Sequence, residues 1–93
     1  MTAVDGDRAR VLVVEDDESM AALVEEELGD EGYDVQVVYS GAGALAAISE
    51  RAPDVVILDI NMPGKDGIET LNDIVGERGS LPVILHTAYS AYK

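Results

Sequence analysis

Two rhythms of apolar residues alternate along this chain. Residues 11–14 (Val-Leu-Val-Val), 55–58 (Val-Val-Ile-Leu) and 83–85 (Val-Ile-Leu) are short unbroken runs rich in β-branched side chains. Runs without polar alternation suit strands that are covered on both faces. Residues 34–39 are more mixed because Gln36 interrupts them, which suits a strand at a sheet edge. Between these runs the spacing becomes helical. Met20, Leu23, Val24 and Leu28 form one stripe, with Glu25, Glu26 and Glu27 opposite, and Gly29 or Gly32 is placed to end the helix. Ser40 is a candidate cap for a second helix through Arg51, with Ala44, Leu45 and Ile48 facing inward and Pro53 as its stop. Ile68, Leu71, Ile74 and Val75 define a third helix ahead of Gly76 and Gly79.

The expected order is therefore β-α-β-α-β-α-β with short connections. Such alternation implies an α/β domain, a parallel sheet with helices on its faces and right-handed crossovers. Pro82 opens the last strand, a tolerated position for proline. Residues 1–8 read as a flexible N-terminal tail and residues 9–93 as one domain. Open sheets of this kind bind ligands beyond the carboxyl ends of their strands.

Charge narrows the range of partners. The 93 residues hold 19 acidic and 6 basic side chains, a formal charge of −13, yet 47% are hydrophobic, well above a disordered acidic chain. Arg8 and Arg10 are the only close pair of bases at the N-terminal side, and the carboxylates from Glu15 to Asp34 follow them. Binding to nucleic acid or to an anionic membrane surface needs a basic patch that the sequence lacks. There are no cysteines, which removes disulfides, thiol chemistry and zinc–thiolate sites. No apolar run approaches the roughly 20 residues of a membrane span, and the start lacks the pattern of a signal peptide, so the cytoplasm is the expected location.

Chemistry-bearing residues gather at the expected strand ends. The first strand runs into Glu15, Asp16 and Asp17, the third into Asp59 and the fourth into Thr87. With the first and fourth strands flanking the third, Asp59 is central, Asp16 lies on one side and Thr87 on the other. Crowded carboxylates repel one another, and a divalent cation relieves them; an all-oxygen set favours a hard ion such as Mg²⁺. Each residue also has a plainer reading: a solvated acidic turn, a carboxylate that ends a strand, and a threonine that favours strands. Pro63, Gly64 and Gly67 in the loop after Asp59 allow a tight turn that aims the Asn61 carbonyl at a metal, or are ordinary loop punctuation. Asp66 is a candidate cap for the third helix. His86, with no second His or Cys, reads as a packed or edge-exposed strand residue.

The segments Val11-Leu-Val-Val-Glu-Asp-Asp, Val55-Val-Ile-Leu-Asp-Ile-Asn-Met-Pro-Gly-Lys-Asp-Gly and Pro82-Val-Ile-Leu-His-Thr-Ala together resemble the receiver domain of two-component response regulators. The resemblance runs from about Arg10 to the last residue. It implies a flavodoxin-like, doubly wound parallel sheet. It implies that Asp59 is the phosphoacceptor for a partner histidine kinase or phosphotransfer protein. Asp16, Asp59 and the Asn61 carbonyl would bind Mg²⁺, with Glu15 acting through water, and Thr87 would donate its hydroxyl to the phosphoryl group. Asn61 and Tyr89 stand where the family tunes the lifetime of the phosphoryl group.

The resemblance also implies a fourth helix, a fifth strand carrying a lysine, and a fifth helix, none of which falls within the 93 residues. Lys93 is too near Thr87 to be that lysine. The expectation is an incomplete receiver whose fourth strand is an exposed edge, open to homodimerisation through that edge or by exchange of elements. Three functions are weighed on this basis. They are a phosphoacceptor signalling module that is not a turnover enzyme, a degenerate receiver that only binds partners or dimerises, and a Mg²⁺-dependent phosphatase. The last needs nucleophile and acid–base carboxylates on one strand-end loop, whereas Asp16 and Asp59 lie on separate strands.

Overall fold

The computed structural model describes residues 8–60 and 67–86, in the order β1 (Arg10–Val14), α1 (Glu18–Asp30), β2 (Asp34–Val38), α2 (Gly41–Glu50), β3 (Val55–Asp59), α3 (Gly67–Glu77) and β4 (Val83–His86). The expected tail (apart from Arg8), Asn61, the Pro63–Gly64 turn, Asp66, Thr87, Tyr89 and Lys93 lie outside the described residues. Strands pair in the order β2-β1-β3-β4, all parallel, with the crossovers of a doubly wound flavodoxin-like sheet. The run with Gln36 takes one edge, as its mixed pattern implies, and the 83–86 strand takes the other. There Ile84 and Leu85 are about half exposed, although their unbroken run suits a strand covered on both faces.

Strand parity divides the core. Leu12, Val14, Val56 and Leu58 point to the face covered by α2 and α3, where they pack with Ala44, Ala47, Ile48 and Ile74. Val11 and Val13 are buried on the opposite face, where α1 lies against β1 and β2. The unbroken apolar run of β1 thus reflects burial on both sides.

Local chemistry sets the helix ends. The Asp17 carboxylate accepts hydrogen bonds from the backbone N–H groups of Ser19 (2.9 Å) and Met20 (3.1 Å), capping α1. Gly32, at φ +99°, supplies the left-handed residue that turns the chain from α1 towards β2, while Gly29 stays inside the helix. The Ser40 hydroxyl accepts from Gly43 N–H at 3.0 Å and caps α2 as expected. At the amino end of the sheet, Arg10 donates to the Ala52 carbonyl at 2.6 Å, and its backbone N–H donates to the Asp54 carboxylate at 2.6 Å. These bonds fix the entry of β3 beside β1.

Helix α3 departs from its expected face. It continues through Gly76 to Glu77 and buries Gly67, Thr70 and Ile74, while Ile68 and Val75 are about half exposed. The burial line follows positions 67, 70, 71 and 74, so the apolar residues on either flank remain in solvent. Leu23 of α1 is also half exposed. No helix among the described residues is long and apolar enough to cross a membrane.

Gly67 is required by close approach. A Cβ there would stand 2.6 Å from the Asp59 carbonyl oxygen and against the Ile60 backbone. Because both obstacles are main chain, neither can swing aside. Gly67→Ala should therefore destabilise the fold by about 3 kcal/mol, at the upper end of the usual overpacking range. Urea unfolding of the two proteins measures it, and equal midpoints would show that α3 does not start against the end of β3.

Candidate functional site

The register of the sheet assembles the site. Val14 pairs with Leu58, and Asp59 pairs with His86, so Glu15, one residue beyond Val14, comes level with both. The three side chains share the face of Val13, Ile57 and Ile84. They close that face at the carboxyl end of the sheet, where such folds bind ligands. Each offers one ligand atom, and these atoms lie within 4.8 Å of one another. Glu15 and Asp59 are only 6% and 8% exposed. A pocket of about 10 Å³, the room of roughly one water molecule, is lined by all three together with Val13, Val14, Val24 and Ile57.

The three consecutive acids after β1 have separate fates. Glu15 turns inward, and its backbone N–H extends the ladder to the Val38 carbonyl at 3.0 Å. Asp16 is exposed, and Asp17 serves the cap of α1. The carboxylate beside Asp59 within this cluster is therefore Glu15, whereas sequence reasoning placed Asp16 there. Alternation accounts for the difference: Val11, Val13 and Glu15 share one side of the strand.

His86 is the residue that sequence reasoning undervalued. It is half-buried on the edge strand, in keeping with a packed or edge position, but its Nδ1 stands 3.8 Å from Glu15 Oε1. The cluster of described residues thus contains a nitrogen donor beside the carboxylate oxygens. Only the pairing of Asp59 with His86 places the imidazole there, and a single sequence does not display register. Asn61 and Thr87 lie outside the described residues, so their positions relative to Asp59 are not part of this geometry.

The electrostatics follow from crowding. Burial foremost pushes the Glu15 carboxyl up from 4.5 to about 7. Its hydrogen bond to the Asp59 side chain and the charges of Asp59 and Asp16 push the same way, while the bond it accepts from Asp17 N–H at 3.2 Å opposes them. Near neutrality the Glu15 carboxyl begins to lose its proton, at a position where burial disfavours the charge.

Comparison with known proteins agrees with this architecture. The family model for the response regulator receiver domain matches residues 11–93. The response regulator TrrA from Thermotoga maritima, solved with Mg²⁺ and BeF, is 40% identical with a TM-score of 0.84, covering 91% of this chain and 74% of that one. TrrA in complex with the histidine kinase ThkA superposes with a TM-score of 0.83 at 40% identity, over 91% of this chain and 73% of that one. NtrX from Brucella abortus is 39% identical with a TM-score of 0.81, covering 84% of this chain. The chain spans only 18% of the length of that NtrX chain. The protein belongs to the response regulator receiver domain family, whose members are phosphoacceptors of two-component systems and generally bind Mg²⁺.

The raised Glu15 carboxyl predicts a pH dependence of stability. Its folded value lies above its unfolded one, so between about pH 4.5 and 7 the folded state binds more protons than the unfolded state. Without divalent cations, stability should fall as pH rises through that window and level off above it. Glu15→Gln should flatten this part of the profile, leaving the variant several degrees more heat-stable than the parent at pH 7.5. Thermal melts in EDTA across pH 4.5–8 measure this, and parallel profiles would remove Glu15 as the cause.

Proposed function

We propose that this chain is a phosphorelay receiver that takes a phosphoryl group onto Asp59 from a histidine kinase or phosphotransfer protein in the cytoplasm. The observation that carries the reading is the burial of Asp59 beside Glu15 at the carboxyl end of the central strand pair. The TrrA structures, with Mg²⁺ and BeF in one and a histidine kinase in another, support it by likeness. In the transfer, an Asp59 carboxylate oxygen forms a bond to phosphorus while the bond from phosphorus to the donor imidazole nitrogen breaks. The imidazole leaves with the electron pair of that bond.

The donor set fits a divalent cation, since two buried carboxyls and an imidazole converge there, one ligand atom from each lying within 4.8 Å of the others. Asp16, Asp59 and the Asn61 carbonyl would hold Mg²⁺, with Glu15 acting through water, and the ion would neutralise charge on the phosphoryl oxygens. Thr87 would donate its hydroxyl to the transferred group. Asp59 is consumed in each transfer and restored by hydrolysis, so the chain acts as a phosphoacceptor that promotes its own modification and not as a turnover enzyme.

Incubation with acetyl phosphate and Mg²⁺ tests the chemistry without a cognate kinase. Intact-mass spectrometry should show one phosphoryl adduct, absent with EDTA and absent in Asp59→Asn. An adduct that survives Asp59→Asn, or a folded parent that never acquires one, overturns the assignment.

A second reading, a receiver that works through self-association, is favoured by one observation. Ile84 and Leu85 on edge strand β4 are 55% and 46% exposed, on opposite faces of the strand. Apolar edge strands pair with other chains unless blunted. Light scattering should then show a concentration-dependent homodimer that Ile84→Lys shifts towards monomer by tenfold or more in Kd. A monomer at all concentrations rules this reading out.

A further inference from the structure

We propose that His86 is a metal-selecting residue, making the Asp59 site a mixed nitrogen–oxygen site that takes an imidazole-preferring divalent cation such as Co²⁺ in addition to Mg²⁺. The proposal rests on the reading of this site as a divalent-cation site and concerns which ion it selects. His86 is the register partner of Asp59, and its backbone carbonyl accepts from Ile60 N–H at 3.2 Å, so the strand fixes the imidazole beside the carboxyl. The Nδ1 to Glu15 Oε1 separation of 3.8 Å is too long for a hydrogen bond. All three ligand atoms nevertheless fall within 4.8 Å, close to the span that one ion bridges with bonds of about 2.0–2.2 Å. The adjoining pocket has the room of one water-sized sphere.

Donor chemistry then decides between ions. Mg²⁺ prefers oxygen and retains its waters, so an imidazole adds little for it. Co²⁺, Ni²⁺ and Zn²⁺ gain from a nitrogen donor. The chain contains one histidine, so no other imidazole can supply that preference. The half-buried position leaves His86 accessible to an ion entering from solvent.

Carboxylate sites already favour Co²⁺ over Mg²⁺, so the informative quantity is the ratio of the two affinities in parent and variant. Calorimetric titration of the full chain with CoCl₂ and with MgCl₂ gives that ratio for the parent, His86→Val and His86→Asn. Valine suits a strand, and asparagine keeps a polar side chain should valine fail to fold. The expected result is a fall of at least tenfold in the Co²⁺ to Mg²⁺ ratio in the folded variants, carried by Co²⁺. An unchanged ratio in either folded variant overturns the role of His86 while leaving the Mg²⁺ reading intact. A parent that binds Co²⁺ through His86 but shows no Mg²⁺ binding supports the role of His86 and overturns the Mg²⁺ reading. A parent that binds neither ion overturns both.

Discussion

Two carboxyl groups held side by side in a mostly apolar setting are the constraint on which the remainder of this structure depends. Parallel strands put all their carboxyl ends on one side of the sheet, and the order β2-β1-β3-β4 makes β1 and β3 neighbours. Glu15 and Asp59 each follow residues buried to within a few per cent, so neither can retreat to solvent without disturbing the core. Their mutual repulsion is therefore a cost carried by the folded state, relieved by a proton or by a cation. A cation bound between them would relieve that cost and stabilise the folded state. The close start of α3 at Gly67 belongs to the same constraint, because it packs main chain against the end of the strand that bears Asp59.

Charge is distributed unevenly about that site. Arg10 is spent at the opposite end of the sheet on Ala52, Asp54 and Asp34, while the site end holds Glu15, Asp16, Asp17 and Asp59. With a formal charge of −13 on the chain, the field at the carboxyl end attracts cations and repels free phosphate anions. A phosphoryl donor approaching Asp59 works against that repulsion unless a cation or a basic partner surface compensates. The same field explains why one imidazole matters: among the described residues that meet at the pocket, His86 alone is not an acid or an apolar side chain.

The fold was almost fully legible in the residue pattern because three unbroken apolar runs and one mixed run, separated by helical stripes, admit few arrangements. The exposure of Ile84 and Leu85 on β4 was not legible in its run, which reads like those of the central strands. Caps were legible where their chemistry is local, as at Ser40. The outward turn of Ile68 and Val75 was not, since a helical stripe wider than the buried face looks the same in sequence as a buried one. In the site, Asp59 announced itself through its strand and the loop motif that follows it. Glu15 was recognised as an acid near the metal but not as the inward neighbour of Asp59. The parity of Val11, Val13 and Glu15 carried that signal. His86 carried none, because its place beside Asp59 depends on the register between β3 and β4.

Strand parity also separates a phosphoacceptor from a phosphatase on the same sheet. A turnover phosphatase keeps its acid–base carboxyl on the loop of the nucleophile, where it reaches the leaving group and then the attacking water. Here the second buried carboxyl follows a different strand, lies level with Asp59 and hydrogen-bonds the Asp59 side chain itself. Glu15 therefore meets Asp59 across the strand pair and does not share its loop, which is the arrangement that a loop-borne acid–base pair lacks.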